Sequence, residues 1–541
     1  MGDAVFAGMP SINIPRSRWD DGHTHTTSIR HGFFTPLECI PVVAGDTIHY
    51  KFKSLVRMQT PIAPIFGNID ISYVAFFVPL RLVWEHAEEF FGANKTSAGY
   101  QQNTYTLPAA QFYNVDAGSL SHYLGKPIAL GTDLDGSGRS YWANITKERG
   151  YYLIWNEFAR AQQITNPVIV NFTDSLKTTP IANKIGSWNG ANINTGDAYG
   201  GSLMRVAKKF DNFTSCTISP QYGAAVELPL GTTAPIKFEA ASALTANTNY
   251  AVGFEGNGTK YYNLTSSGVA NEDGWASSVN GSLFADLSQA TAAKINDIRF
   301  AFACQKFLER SNFAGSTMWG QLQVHYGVTS PDARLQRPEF LGQMTHPINV
   351  HQVVATADTT NSGIKTSVGN TGAVSVTASG EVSLFNKSFV EPGYVYILAF
   401  TKHRRLYSQG LMKEDRKLDR MEIYTPEMAN LGDDAVKTTE IYWKANETDI
   451  FGYNMHWYEY HYRPDRVSGM IDPYGNNSLS FWTLAEKFTT KPQLNDDFIF
   501  EDRTELDRAL TTGSTFDEYV IDLWSSKSNV RPKIYNIFIK S

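Results

Sequence analysis

The sequence predicts a mainly β protein: an eight-stranded antiparallel jelly roll with long loop insertions and a few short helices. Three observations carry that prediction. Aromatic residues make up 13% of the chain, with 27 Tyr and 32 Phe, and rings together with plentiful β-branched side chains favour pleated backbone. Segments with a strand period stand towards both ends, with helical and loop-rich matter between them, so strands and helices do not alternate as a βαβ fold requires. Eight strands of roughly six residues need only about fifty residues, which leaves most of a chain of 541 for insertions.

Taken in order, residues 1–44 read as a polar N-terminal arm. Residues 45–54 alternate, with Ile48, Tyr50 and Phe52 on one face and His49, Lys51 and Lys53 on the other, which predicts a half-buried strand. Residues 68–73 alternate as well and run into an apolar stretch, 74–78, that Pro79 stops. After it Leu80, Val83, Trp84, Ala87, Phe90 and Phe91 recur at helical spacing, and Gly92 closes that helix. A second helix is predicted over 151–163, with Tyr151, Ile154, Trp155 and Phe158 on one face, ending before Asn166-Pro167. The third and longest spans about Ser288 to Arg310, with Ile295, Ile298, Phe302 and Leu308 as its stripe and Asp286 and Ser288 as candidate caps. Later strands are predicted at 393–400, 454–462, 497–500, 519–524 and 533–539.

Two regions stand apart. Residues 232–284 are rich in Thr, Ala, Asn, Gly and Ser; the preferred reading is an exposed, ordered insertion, packed through Tyr250, Phe254, Tyr261, Tyr262 and Trp275, rather than a disordered loop. The segment 326–342 is neither helix nor strand by period. Pro331 and Pro338 interrupt any ladder, and Asp332, Arg334, Arg337 and Glu339 concentrate charge in a chain with only 18% charged residues. A long ordered loop of that composition predicts a contact surface, with Arg334, Arg337 and Glu339 as candidates for contacts between copies of the chain, the two arginines being open also to a role as struts within one copy.

Composition narrows the function. No apolar run is long enough to cross a bilayer, and no basic segment followed by an apolar one opens the chain, so neither a membrane span nor a secretory signal is expected. Three scattered cysteines argue against a disulfide framework or a zinc site. The formal net charge is −6, whereas a protein that coats nucleic acid by itself is normally basic.

Asp20-Asp21-Gly22-His23-Thr24-His25 has metal-ligand chemistry, but no second cluster stands at ligand spacing, so an arm making intersubunit or DNA contacts is preferred and no metal or cofactor is expected. Asp133 to Gly138 lacks the closing Glu of a calcium loop. Catalytic and nucleotide-binding motifs are missing, and the adjacent pairs Asp433-Asp434 and Asp496-Asp497 would point to opposite faces of a strand, so no enzyme is expected. The densest basic stretch holds Lys402, Arg404, Arg405, Arg416 and Arg420, with Arg16 and Arg18 as a second group. These are candidates for contact with single-stranded DNA on an inner surface, or alternatively for pairing with carboxylates of a neighbouring subunit.

Several blocks, in order, resemble one family. They include Ser17-Arg18-Trp19, Gly45-Asp46-Thr47, Phe76-Phe77-Val78-Pro79-Leu80-Arg81 and Ile154-Trp155-Asn156-Glu157. Leu228-Pro229-Leu230-Gly231, Asp286-Leu287-Ser288, Leu308-Glu309-Arg310, the whole of 326–342 and Tyr462-Arg463-Pro464 follow. Together they resemble the major capsid proteins of the microviruses, single-stranded DNA phages of the gokushovirus type. Gly315-Ser316-Thr317-Met318-Trp319 and Glu391-Pro392-Gly393 depart from the usual family runs, which leaves the subgroup open.

The resemblance implies a structural protein of the virion, of the viral-capsid jelly-roll type over 1–541, assembled in the host bacterial cytoplasm. Sixty copies would form a T=1 icosahedral shell around circular single-stranded DNA. It further implies that 232–284 rises as a protrusion at the threefold axis and touches a bacterial host surface receptor. Expected partners are a DNA pilot protein and a small basic DNA-binding virion protein. Sixty chains at −6 carry about −360, a charge that a basic partner would offset. The alternative, drawn from aromatic richness, is a soluble carbohydrate-binding or carbohydrate-cleaving β-protein.

Overall fold

Ten strands in two antiparallel sheets, six-stranded and four-stranded, form the centre of the computed structural model. They are β1 (Ser17–Ile29), β2 (Thr35–Val42), β3 (Thr47–Met58), β4 (Ile69–Pro79), β5 (Glu339–Ile348), β6 (Val350–Val354), β7 (Thr371–Ala378), β8 (Val382–Ser388), β9 (Gly393–His403) and β10 (Tyr519–Arg531). The structure describes residues 14–93, 105–128, 141–174, 177–183, 202–226, 236–238, 250–251, 263–264, 283–285, 295–354, 359–361, 364–366, 371–429, 431–475, 479–511 and 516–532.

The first sheet runs β1-β10-β3, and the far edge of β3 is shared by β8 along its first half and β7 along its second, with β6 beyond β7. The second sheet runs β5-β4-β9-β2. Register is continuous over long stretches: β10 pairs with β3 from Tyr519↔Met58 to Val530↔Thr47, and β9 pairs with β4 from Gly393↔Pro79 to His403↔Ile69. Residues 17–42, read from sequence as part of an arm, supply β1 and β2, one strand to each sheet.

Alternation decides what each sheet buries. Tyr50 and Phe52 of β3 and Ile71, Tyr73, Ala75 and Phe77 of β4 enter one shared core with Val395 and Ile397 of β9, so the two sheets face each other. Rings mesh across it, Phe52 with Tyr73 at 4.8 Å and Phe77 with Phe389 at 4.6 Å between centroids. Each such buried ring contributes roughly 1.5–3 kcal/mol. The opposite face of β4 presents Val74, Phe76 and Val78 to a second core with Tyr151, Ile154 and Trp155. Being buried on both faces is why 74–78 reads as an unbroken apolar run.

The helices depart from their predicted bounds. The predicted helix after Pro79 is instead a single 3-10 turn, Leu80–Leu82, and a short helix, Ala87–Phe90, parted where Glu85 N–H donates to the Phe172 carbonyl (3.0 Å). Helix α1 (Thr146–Ile154) starts earlier than predicted and runs on as a π-helical turn, Trp155–Ala159. Helix α2 (Ile295–Ala314) is the predicted long one; its candidate caps Asp286 and Ser288 lie outside the described residues. Helix α3 (Met318–Tyr326) follows it.

Two predicted strands are corrected. Residues 497–500 form a helical turn, Asp496–Ile499, because Asn495 Oδ1 accepts from Phe498 N–H (3.1 Å) and caps it. The strand predicted at 454–462 is Ile450–Met455, after which Trp457 at φ 62° turns the chain into a 3-10 turn, Tyr458–Tyr460. The predicted strand 533–539 lies outside the described residues. The chain divides into two compact units, residues 223–308 and the remainder. Within the former, Ile236–Phe238 pairs with Leu283–Ala285, and Tyr250–Ala251 pairs with Asn263–Leu264.

Candidate functional site

The loop 326–342 is anchored from within. Helix α3 ends at Gly327, whose left-handed backbone (φ 66°) returns its N–H to the Gln323 carbonyl (2.9 Å). Past Pro331 the chain makes tight turns, and β5 begins at Glu339. Asp332 holds the loop together. Its Oδ1 accepts from Arg337 Nε (2.7 Å) and faces Nη2 at 2.6 Å, and its Oδ2 accepts from the Phe340 N–H (3.1 Å). The Arg337 guanidinium also lies over the rings of Phe158 (4.8 Å) and Trp319 (5.5 Å). Glu339 pairs with Lys387 on β8. Arg334 is exposed; its backbone N–H donates to the Pro331 carbonyl (3.0 Å), while its side chain has no partner among the described residues. The three residues that sequence grouped as one contact surface therefore separate: Arg337 and Glu339 brace the subunit, and Arg334 faces outward.

The basic stretch after β9 separates in the same way. Lys402 is half-buried, its ammonium 5.1 Å above the Phe400 ring, and burial pulls its pKa down. Arg404 bonds Asp465 (3.0 Å), and Arg416 approaches Glu440 (3.5 Å). Lys413 pairs with Asp434 at 3.0 Å and Glu459 at 3.5 Å. Arg16, Arg18 and Arg420 are exposed, Arg18 beside Asp20 (3.3 Å). Arg405 is the correction. Its side chain is 1% exposed and bound to Glu486, to Glu501 (2.8 Å) and, more loosely, to Glu505 (3.9 Å), so it has no path to a nucleic acid.

Arg405 belongs to a buried ionic cluster that no sequence motif announced. His31 lies in the turn between β1 and β2, His403 ends β9, and Glu501 follows the turn Asp496–Ile499; none of the three side chains is exposed. His31 Nε2 is 3.1 Å from His403 Nδ1 and 3.0 Å from Glu501 Oε1, and His403 Nδ1 is 2.5 Å from that same oxygen. His31 Nδ1 meets Tyr519 Oη (3.1 Å) and Thr401 Oγ1 (3.0 Å), and its backbone N–H donates to Glu518 (2.9 Å). Lys208 completes the set on Glu486 (3.0 Å).

The titrations follow from this packing. Burial, with Arg405 beside it, pulls His403 down to about 4. Burial alone would raise Glu501, but Arg405 and His403 outweigh it and hold the carboxyl well below its ordinary value. Burial and the neighbouring Glu486 push Glu505 up to about 8. The members come from four stretches of the chain, around His31, Lys208, His403–Arg405 and Glu486–Glu505, and the polar residues around them give no period, which is why sequence reasoning missed them.

The metal-like motif near the N-terminus lies on β1. There His23 bonds Ser525 Oγ (2.9 Å) and Asp21 pairs with Lys527 (2.8 Å), both across the ladder to β10. Of the five aromatics expected on the insertion, Tyr250 lies in a short strand whose side chains are outside the described residues, as are Phe254, Tyr261, Tyr262 and Trp275 altogether.

Comparison with known proteins bears on all of these residues. A family model described as "Capsid protein (F protein)" matches residues 7–535. The chain is 32% identical to Capsid protein VP1 of Bdellovibrio phage phiMH2K, over 98% of this chain and 96% of that one. It is 30% identical to Capsid protein VP1 of Spiroplasma virus 4, over 93% and 91% of the two chains. Capsid protein VP1 of Chlamydia phage 1 is 27% identical, over 98% and 97%.

Proposed function

The chain belongs to the capsid protein (F protein) family, and from that premise we propose that sixty copies, each an eight-stranded jelly roll, close into a T=1 icosahedral shell around circular single-stranded DNA. The coarser role follows from the family: this is a structural capsid protein that assembles into a shell, and not an enzyme.

Strand order is the observation that carries the finer reading. Leaving aside the β6–β7 extension, the sheets run β1-β10-β3-β8 and β2-β9-β4-β5. The chain thus changes sheet at every step except β4 to β5, which is the interleaving of two Greek keys. First and last strands lie side by side, so the fold closes only when the whole chain is present.

Charge supports a division of labour. The chain carries a net −6, and Arg405, Lys413 and Arg337 are engaged by carboxylates of the same chain, so these three are not offered to phosphate. A small basic virion protein lining the shell would supply the rest, with Arg16, Arg18, Arg404 and Arg420 as the exposed contribution of this chain and a DNA pilot protein as a further virion component. The unit containing 232–284 would carry the host-receptor contact, and assembly would take place in the bacterial cytoplasm before the virion is released.

Electron microscopy of the purified protein tests the shell: uniform icosahedral particles are expected, and a monodisperse monomer under every condition would refute the sixty-copy assembly proposed for it. Deleting residues 235–280 should leave particles intact but abolish adsorption to host cells. Failure of assembly would make that segment a structural clamp instead.

A further inference from the structure

We propose that His31, His403 and Glu501 form a buried site for a divalent transition-metal ion that pins three separate segments of the subunit together. The geometry is a closed triangle of ligand atoms. His31 Nε2, His403 Nδ1 and Glu501 Oε1 stand 3.1, 3.0 and 2.5 Å apart on side chains with no exposure. Hydrogen bonds do not account for all three edges, because each of these nitrogens carries at most one in-plane hydrogen. If both hydrogens point at the carboxylate, the nitrogen–nitrogen edge holds no bond. If His31 donates to His403, the shortest edge sets a lone pair against a carboxylate. An ion among the three atoms resolves the conflict, since each nitrogen then offers it a lone pair beside the carboxylate oxygen; ligands about 2.0–2.1 Å from one ion stand roughly 3.3 Å apart, so the triangle need only open slightly to receive it.

The surroundings are those of a ligand set held in place. His31 Nδ1 has two hydroxyl partners, Tyr519 Oη at 3.1 Å and Thr401 Oγ1 at 3.0 Å, which fixes the ring with Nε2 turned inward. Arg405 Nη2 stands 2.8 Å from the other oxygen of Glu501 and so leaves Oε1 directed at the imidazoles. Two imidazoles and one carboxylate select a borderline ion such as zinc, cobalt(II) or iron(II) over calcium or magnesium, which take oxygen ligands.

The ion would act structurally. It would tie the turn between β1 and β2, where the chain passes from one sheet to the other, to the end of β9 and to the segment that follows residues Asp496–Ile499. Since the site is closed to solvent, the ion would enter as the chain folds.

The experiment uses the full chain, refolded from denaturant with zinc or cobalt(II) and, in parallel, with a chelator, followed by removal of free metal and elemental analysis. About one retained ion per subunit is expected, with a higher unfolding midpoint than the chelator-refolded sample and, for cobalt, visible absorption bands of nitrogen–oxygen ligation. His403→Ala and Glu501→Gln should each lose the ion. A folded variant of either kind that keeps it would overturn the assignment, and the partly exposed group Glu85, His86 and Asp174 would then be the place to look. Wild-type chain that retains no ion and has the same midpoint with and without chelator would overturn it too, leaving a hydrogen-bonded cluster alone.

Discussion

Arg334 and Arg337 lie three residues apart in one loop, and the structure assigns them opposite roles. Arg337→Ala removes a charge-assisted bond to Asp332, of order 1.5–3 kcal/mol when one partner is charged. It also removes the guanidinium from two aromatic faces, roughly 0.5–1 kcal/mol each at this partial exposure. Asp332 keeps its bond from the Phe340 N–H, which limits the damage. The expected loss is about 3 kcal/mol of subunit stability, close to a hundredfold in the folding equilibrium. Arg337→Lys should recover only part of it, since an ammonium cannot span the carboxylate and both rings. Arg334→Ala should leave subunit stability within about 0.5 kcal/mol of wild type, as for an exposed side chain, yet lower the yield of particles. Urea titration of the unassembled subunit, followed by sedimentation of assembly reactions, reads both quantities. Should Arg337→Ala unfold at the wild-type urea concentration while failing to assemble, the brace account is wrong and Arg337 works between subunits.

Other consequences can be measured on the same subunit. Burial raises the Glu440 carboxyl to about 7, despite the cations of Lys413 and Arg416 nearby. Its folded pKa thus exceeds the unfolded value of 4.5, the folded state holds the extra proton, and stability should fall by roughly 3 kcal/mol as pH rises from about 4.5 to 7. Glu440→Gln should flatten that slope, and an unchanged slope would assign the pH dependence to another group. Gly410→Ala should cost about 1–3 kcal/mol or more in a thermal melt, because its Cβ would fall on the backbone carbonyl of Glu440 and within 3.0 Å of the Ile441 Cα. Cys216 is buried, its thiol 3.2 Å from the Asn212 carbonyl and pushed well up in pKa by burial. It should therefore resist iodoacetamide in the native subunit and react once unfolded; rapid native labelling would contradict that environment.

How much could be read in advance depended on whether a side chain's fate was set locally. Strand β3 was legible because alternating residues share one face and that face is the core. Strand β10 was legible only in its first half. Beyond Trp524 it reads Ser-Ser-Lys-Ser-Asn, with no apolar period, yet the ladders to β1 and β3 continue on both sides and bury Ser525, Lys527 and Asn529. Backbone pairing on two edges, together with the Asp21 partner of Lys527, overrides what that composition suggests. Residues 497–500 failed for the opposite reason: an apolar-acidic pattern suggested a strand, but a local cap from Asn495 decided the backbone first.

Charged residues were harder still, because their meaning lies in the partner. Lys402, Arg404 and Arg405 are nearly adjacent on the chain, and sequence treated them as one basic patch. In the structure Lys402 lies along an aromatic ring, Arg404 meets a surface aspartate, and Arg405 lies among three buried glutamates. Those glutamates are some eighty to one hundred residues further along, and only the fold brings them there. The cost of burying a charge is several kcal/mol unless it is paired, so a buried arginine implies acceptors somewhere in the chain, carboxylates for Arg405 and the Val83 and Thr173 carbonyls for Arg149, without saying which. The same logic limits what a capsid subunit can offer its genome. Each cation committed to closing the fold is unavailable to phosphate, so if the shell encloses DNA as proposed above, a subunit of net charge −6 would leave most of that neutralisation to another component.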